Sequence, residues 1–356
     1  MSSQDTAAPE PELKRRFLNW RTLLSFLIAA GLIVLSVWLA KIDPRQVWEH
    51  IRRANPLLYG LGFLAFYATF PLRAWRWRLL LENASAGDPS APRPPHFRDL
   101  NEIIYLSWFA NCIVPAKLGD LYRGYLLNRT TKASFSRTVG TIFAERVLDM
   151  LFLFLLMLVS SLVLFGPRIP SAASARDRLV AGSVYGVGIA LVVLAVALLL
   201  GMRFFGPVLR RWVPARFRGL YDRFLEGTLL SFRWRGLPLL LGQTLLVWVL
   251  ESLRFYCVFR AVVLALPVQV SVGLPVIVFV ALAGSLLTTL PITPAGLGAV
   301  EAMFVWILPL FLPAAILGTQ LDLRNLAGAV GLLDRTINYW SILILGLVLF
   351  LFSKKK

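Results

Sequence analysis

Apolar positions gather into nine runs, near residues 21–40, 57–81, 100–116, 138–165, 179–202, 237–264, 273–290, 295–316 and 326–352, with arginine, proline and glycine between them. Several reach the roughly 20 residues a helix needs to cross a bilayer. The chain therefore reads as an all-α polytopic membrane protein. The first run follows a polar leader, residues 1–20, and its length, with no small-x-small site at its end, favours a retained span over a cleaved signal. If all nine runs crossed, the eight arginines of 203–235 and the tail 353–356 would face outside, against the positive-inside rule. Three runs are short and broken by proline. If 100–116 turns back through "LGDLYRGYLL", and 273–290 turns back through 295–316, six full transmembrane helices and two re-entrant helical hairpins remain. Both termini are then cytoplasmic, and 25 of the 37 lysines and arginines face the cytoplasm against eight in outer loops.

In this topology the first hairpin enters from the cytoplasmic side and the second from the outer side. Each carries the same break: Pro115-Ala116-x-Leu118-Gly119 and, 179 residues later, Pro294-Ala295-x-Leu297-Gly298. Neighbouring features recur in the same order. Leu72-Arg73 precedes the first hairpin and Leu253-Arg254 the second; Glu145-Arg146-x-x-Asp149 follows the first and Asp334-Arg335-x-x-Asn338 the second. This is the arrangement of an inverted repeat. The halves are 21–165 and 179–352, joined by an outer loop at 166–178. The second half includes a basic stretch, 203–235, expected as an amphipathic helix on the cytoplasmic leaflet.

Composition changes the picture little. Hydrophobic residues make up 58% and charged ones 16% of the chain. The formal charge of +18 would suggest nucleic acid in a soluble protein; here basic loops facing anionic lipid account for it. Two cysteines and two isolated histidines offer neither a disulfide framework nor a metal cluster, and no Gly-rich phosphate loop is present. No metal, cofactor or nucleic acid is expected.

Candidate chemistry lies in the breaks and the buried charges. Helix-breaking backbone at membrane depth persists only where protein or a wet cavity surrounds it, and a half-helix starting after each break turns its free N–H groups toward it. Pro115, Gly119, Pro294, Gly296 and Gly298 form the breaks. A packing kink at proline would need no function. Lys117 adds a full charge, and Arg73, Arg123, Arg146, Arg254 and Arg335 complete the candidate headgroup-binding set, since arginine suits bidentate phosphate recognition. Glu145, Asp149, Glu251, Glu301 and Asp334 are the candidate charge partners. Glu145 and Asp149 share a helix face, and Glu251 and Arg254 are spaced to pair. Helix-stitching ion pairs are the plain alternative, but ionisable groups inside a membrane are functional candidates. Arg73, Arg76 and Arg78, with Trp75 and Trp77 between them, read as inner headgroup-level anchors or headgroup-capturing groups. "GSVYGVG" at 182–188 reads as a helix-packing stretch.

The segments "VPAKLGDLYRGYLL", "ERVLD" and "PITPAGLGAVE" together resemble the flippase-like membrane domain of lysylphosphatidylglycerol synthases, over about residues 20–350. That resemblance implies handling of a lipid with a large headgroup, such as an aminoacylated phospholipid or a polyprenyl-phosphate-linked lipid. The full synthase carries a soluble aminoacyl-transferase domain that this sequence lacks, so translocation rather than aminoacylation carries over. The expectation is an inner-membrane lipid translocase without its own catalytic centre. A lipid-modifying transferase using a lipid-linked donor is the alternative, with Glu145 and Asp149 as general bases. A separate lipid synthase or glycosyltransferase partner, and a homodimer, stay open.

Overall fold

A computed structural model describes residues 20–89, 91–114, 117–165, 175–266, 272–289, 293–312 and 320–355. Thirteen α-helices order these residues, and no strand occurs among them. α1 (Trp20–Ala40) leads into a short α2 (Pro44–Arg53) and a long α3 (Pro56–Ser85). Both boundaries are built by side chains. Asp43 accepts from the Arg45 N–H and Asn55 from those of Leu57 and Leu58, with Pro44 and Pro56 beginning the first turns. α2 was not expected from the sequence, which placed an outer loop there. It seats Val47 in the core, and the Asp43 N–H donates to Asn325.

α4 (Phe97–Ile113) and α5 (Leu118–Thr131) flank the first pentapeptide and pack on each other; α6 (Phe135–Phe165) follows. α7 (Ala175–Trp212) runs through the expected fourth crossing, and α8 (Arg218–Leu230) leads to α9 (Leu237–Val263). α10 (Leu274–Leu287), a 3-10 turn at Pro294–Gly296 and α11 (Ala299–Ile307) form the second broken segment. α12 (Gln320–Arg335) continues through a π-helical turn, Thr336–Trp340, into α13 (Ser341–Phe352).

Six stretches among the described residues are long and apolar enough to cross a membrane: Leu23–Ala40, Pro56–Ser85, Phe135–Leu164, Trp234–Val263, Pro294–Phe311 and Leu323–Phe352. The chain is a multi-pass membrane protein. The set differs from the expected six at one place. The 179–202 run lies in α7, where many side chains, including most of 182–188, fall outside the described residues. Pro294–Phe311 qualifies as a stretch, yet its α-helix has nine residues, about 14 Å at the α-helical rise. α5 and α10 have 14 residues each, about 21 Å. None of these helices alone spans a hydrocarbon core of about 30 Å.

The helices exchange partners. α3 and α9 form the most extensive pairing, α4 packs on α13, and α10 packs on α6. The basic stretch is less peripheral than its composition suggested. α8 lies along α6 and α3, and the Thr228 hydroxyl donates to the Gly140 carbonyl, so its inner face belongs to the fold. Its partners are main-chain groups, which an arginine-rich composition does not reveal.

Candidate functional site

Both pentapeptides bend the chain at the same register. The third position is left-handed in each, Lys117 at φ 55° and Gly296 at φ 69°, and Ala295 joins it at φ 45°. Non-glycine residues rarely adopt this region, so each break is held by its surroundings. Gly119 admits no side chain, because a Cβ there would stand 2.1 Å from the Ser107 carbonyl oxygen. Gly298, at φ 84°, backs onto Ala29 and Leu32 of α1. Pro115 lies outside the described residues; Pro294 is buried and opens the second turn.

The expected free N–H groups at the half-helix starts are partly taken. Asn111 Oδ1 accepts from the Gly119 N–H at 2.9 Å, and Glu301 Oε2 accepts from the Gly298 N–H at 2.6 Å. At the second break the acid of the first turn, Glu301, satisfies the helix end from within, whereas at the first Asn111 does so from α4; each first turn carries an acid that holds the arginine following its own broken segment. Asp120 takes Arg146 through two bonds of 2.7 Å, and Glu301 takes Arg335 at 2.7 Å. Arg335 also donates to the Ala295 carbonyl at 3.1 Å and to Asn338 at 3.3 Å.

Behind these pairs the network continues across α3, α6, α9 and α12. Arg73 donates to Glu251 at 2.9 Å, and Arg254 bridges Glu251, at 3.3 Å, and Asp334. Asp334 in turn accepts from Asn338 at 2.7 Å. Arg76 is fully buried and donates to both oxygens of Asp149, at 2.7 and 3.0 Å, to Glu145 at 3.0 Å and to Thr244 at 3.0 Å. Glu145 also meets Arg123 at 2.9 Å. Aromatic faces cover several guanidiniums: Trp108 lies 4.8 Å from Arg73, Trp77 3.8 Å from Arg123 and Tyr339 4.9 Å from Arg335. Charges that would be costly alone are paired and hydrogen-bonded here.

The network surrounds a cavity of about 90 Å³ at the meeting point of both broken segments with α3, α6, α9 and α12. Lys117, Arg73, Arg146, Arg254 and Arg335 line it, with Asp149, Glu251 and Asp334. Room for one water takes about 10–15 Å³ on this measure, so the space holds a few waters or one phosphate-sized group. Five of the six expected cations thus share one wall. Arg123 stands behind it on Trp77, Glu145 is buried with it, and Glu301 faces away from the cavity. Glu301 instead lines an apolar groove of about 330 Å³ between α1, α2, α11 and α12, and Arg335 lines both spaces. Among the described residues no three His, Cys, Asp or Glu side chains are grouped to hold a metal ion.

Sequence reasoning placed Arg76 at the inner headgroup level, as an anchor or a headgroup-capturing group, and did not single out Asp120, Asn111 or Trp248. Arg76 and Trp77 are at 0% exposure, so the expectation of headgroup-level anchors fails for them; Arg78 and Trp75 remain exposed. Arg73 and Arg76 lie three apart and share a helix face with Trp77 beside them, which turns that face inward. Asp120 carried a usable signal, a carboxylate directly after the first pentapeptide.

A family model described as the lysylphosphatidylglycerol synthase TM region matches residues 22–346. The chain belongs to that family. Among its relatives, the UPF0104 membrane protein MJ1078 of Methanocaldococcus jannaschii is 33% identical over 251 residues, covering 68% of this chain and 93% of that protein. A UPF0104 membrane protein of Methanothermobacter thermautotrophicus is 22% identical over 348 residues, covering 90% of this chain and 93% of that protein. A protein named glycosyltransferase AglD, of Haloferax volcanii, is 24% identical over 355 residues; the match covers 90% of this chain and 54% of AglD. Membership in the TM-region family agrees with the all-helical, multi-pass architecture.

Proposed function

We propose that the chain is a lipid translocase whose central cavity binds the phosphate of an anionic, aminoacylated or polyprenyl-linked lipid while the hydrocarbon chains stay in apolar surroundings. The observation that carries this reading is the cavity itself. Lys117 and four arginines converge on a space for one phosphate-sized group, between two broken segments whose helices are too short to cross alone. Arginine offers the bidentate geometry that phosphate oxygens match. Arg335 also borders the apolar groove, so a headgroup at this residue would leave its chains an adjoining apolar path. The partner exchange of α4 with α13 and α10 with α6, and the matching left-handed residues, support an inverted repeat with hairpins entering from opposite faces. In this reading both termini are cytoplasmic, in the inner membrane.

Reconstitution into sealed vesicles carrying fluorescent phospholipid or polyprenyl-phosphate reporters tests the proposal, with bleaching by external dithionite of reporters that move from the inner to the outer leaflet as readout. Transfer above protein-free vesicles is expected for at least one phosphate lipid. No transfer of any of them refutes it. A second reading, a membrane partner of a lipid synthase or glycosyltransferase, rests on AglD, whose name describes a transferase and of which this chain matches about half. Lipid mass spectrometry of a deletion strain separates the two. A missing lipid species favours the partner role, and a normal species confined to one leaflet favours translocation.

A further inference from the structure

The apolar groove beside the second break differs in chemistry from the central cavity. α1 packs chiefly on α11 and the 3-10 turn, and Gly298 pins it there: a Cβ at Gly298 would stand 2.7 Å from the Ala29 carbonyl oxygen and 2.8 Å from Leu32 Cβ. Directly beyond this pin the groove opens. Ile33 and Val37 of α1 line one wall, and Gly328 and Leu332 of α12 line another. α2 contributes Val47 and Trp48 at one end, and Glu301 and Arg335 stand at the other. Gly328 and Arg335 are two turns apart on α12, about 10 Å. The exposed side chains of Arg45, Glu49, Arg52 and Arg53 hold α2 at the membrane–water boundary, so the groove runs from that boundary inward to Arg335.

The polar groups in it are largely committed. Glu301 accepts from Arg335 and from the Gly298 N–H, and Arg335 also donates to Ala295 and Asn338. Besides this neutral pair, only Ser36 and the half-exposed indoles of Trp48 and Trp340 bring polar side-chain atoms to the lining. A buried water needs about two to four polar partners, so water filling the groove would go largely unbonded. A helix is about 10 Å across, as wide as the groove is long. An extended peptide would bury N–H and C=O groups without partners. Left empty, the walls would forfeit dispersion contacts. Hydrocarbon brings no polar group, and it already bathes the outer face of α1, where Val34 and Trp38 are largely exposed.

We propose that the groove is a binding site for one acyl chain of a bilayer phospholipid, which enters beside α1 and lies along α12 between α2 and Arg335. The site takes the chain and not the headgroup, so it stands or falls apart from the reading of the central cavity.

Val305 makes the test specific, because it lines the groove from α11 yet is only 5% exposed, out of reach of lipid that merely coats the protein. The full chain in phosphatidylcholine nanodiscs is irradiated with trace lipids that carry a photoreactive diazirine on one chain, and labelled residues are mapped by peptide mass spectrometry. The probes are a phosphatidylcholine, a diacylglycerol with no phosphate, and a polyprenol. Both acyl probes should label Val305 at least about fivefold more than Val276 of α10, which is 8% exposed and outside the groove. Val37→Trp and Leu332→Trp fill the groove from opposite walls at partly exposed positions, and each should lower labelling of Val305 by about threefold or more. Val34→Trp adds the same bulk outside the lining and should leave it unchanged. Labelling of Val305 no stronger than that of Val276, or insensitive to both fillings, overturns the proposal. Labelling by the phosphatidylcholine but not the diacylglycerol overturns recognition of the chain, and labelling by the polyprenol in place of both acyl probes overturns the acyl occupant. Groove labelling by both acyl probes without lipid transfer in the vesicle assay supports this site and refutes the translocase reading.

Discussion

Removing Arg76 perturbs the buried network at its most connected point. Its guanidinium makes three bonds to carboxylate oxygens and one to Thr244. Charge-assisted bonds contribute about 1.5–3 kcal/mol each, but their sum overstates the loss, because the remaining groups keep some partners. In Arg76→Met, Glu145 retains Arg123 at 2.9 Å, whereas Asp149 retains only Arg146, at 3.8 Å. The cost is therefore mainly that of one poorly paired buried carboxylate, about 3–5 kcal/mol. Unfolding in mixed micelles titrated with SDS measures it. Adding Asp149→Asn removes the stranded charge, so the double variant should recover about 2 kcal/mol relative to Arg76→Met, a coupling that a double-mutant cycle isolates. A single variant within about 1 kcal/mol of the parent, or a double variant no better than the single, refutes the reasoning.

Gly119→Ala drives a methyl group toward the Ser107 carbonyl, 2.1 Å away, and should cost about 1–3 kcal/mol in the same titration; unchanged stability would mean that α4 and α5 pack more loosely than described. Glu301→Gln keeps an acceptor for the Gly298 N–H but removes the charge that holds Arg335. It should cost about 1–3 kcal/mol in the same titration, and unchanged stability would mean that the Glu301–Arg335 pair does not hold the start of α11. Lys355→Ala breaks partly exposed pairs with Asp99 and Glu102 and should cost less than about 1 kcal/mol, less still in high salt.

The broken segments were legible in the sequence because proline and glycine change what the backbone can do, and that effect needs no partner. The repeated Pro-Ala-x-Leu-Gly marked both turns, and the acid-Arg-x-x-Asp/Asn motifs after them marked Arg146, Asp149, Asp334, Arg335 and Asn338, which meet at one cavity, with Glu145 buried behind it. Glu251 with Arg254 followed from helical spacing alone. Choosing partners across helices was harder. Arg73 and Arg76 differ by one turn on α3, and which of them reaches Glu145 depends on the rotation and depth of α3 against α6, set by packing of the whole bundle. Arg76 therefore read as an interfacial anchor, although it is the network's hub. α2 was hidden for a different reason: its ten residues are mostly polar, and what fixes it is the Asp43 cap and Val47 packed against α12. The helix-end N–H groups read as open anion sites, but the groups that fill them lie outside the pentapeptides: Asn111 on the preceding helix α4, and Glu301 three residues beyond the second.

The account depends most on the two hairpins entering from opposite faces of the membrane. Single cysteines at Thr130, exposed at the end of α5, and at Thr319, before α12, report this directly in a Cys112→Ala/Cys257→Ala background. Intact cells are treated with a membrane-impermeant thiol reagent, and permeabilised cells serve as the control. The account predicts labelling at 319 and none at 130 until the membrane is opened. Labelling at 130 from outside would make the first hairpin a full crossing, and would contradict both the inverted repeat and the mid-membrane phosphate site built on it.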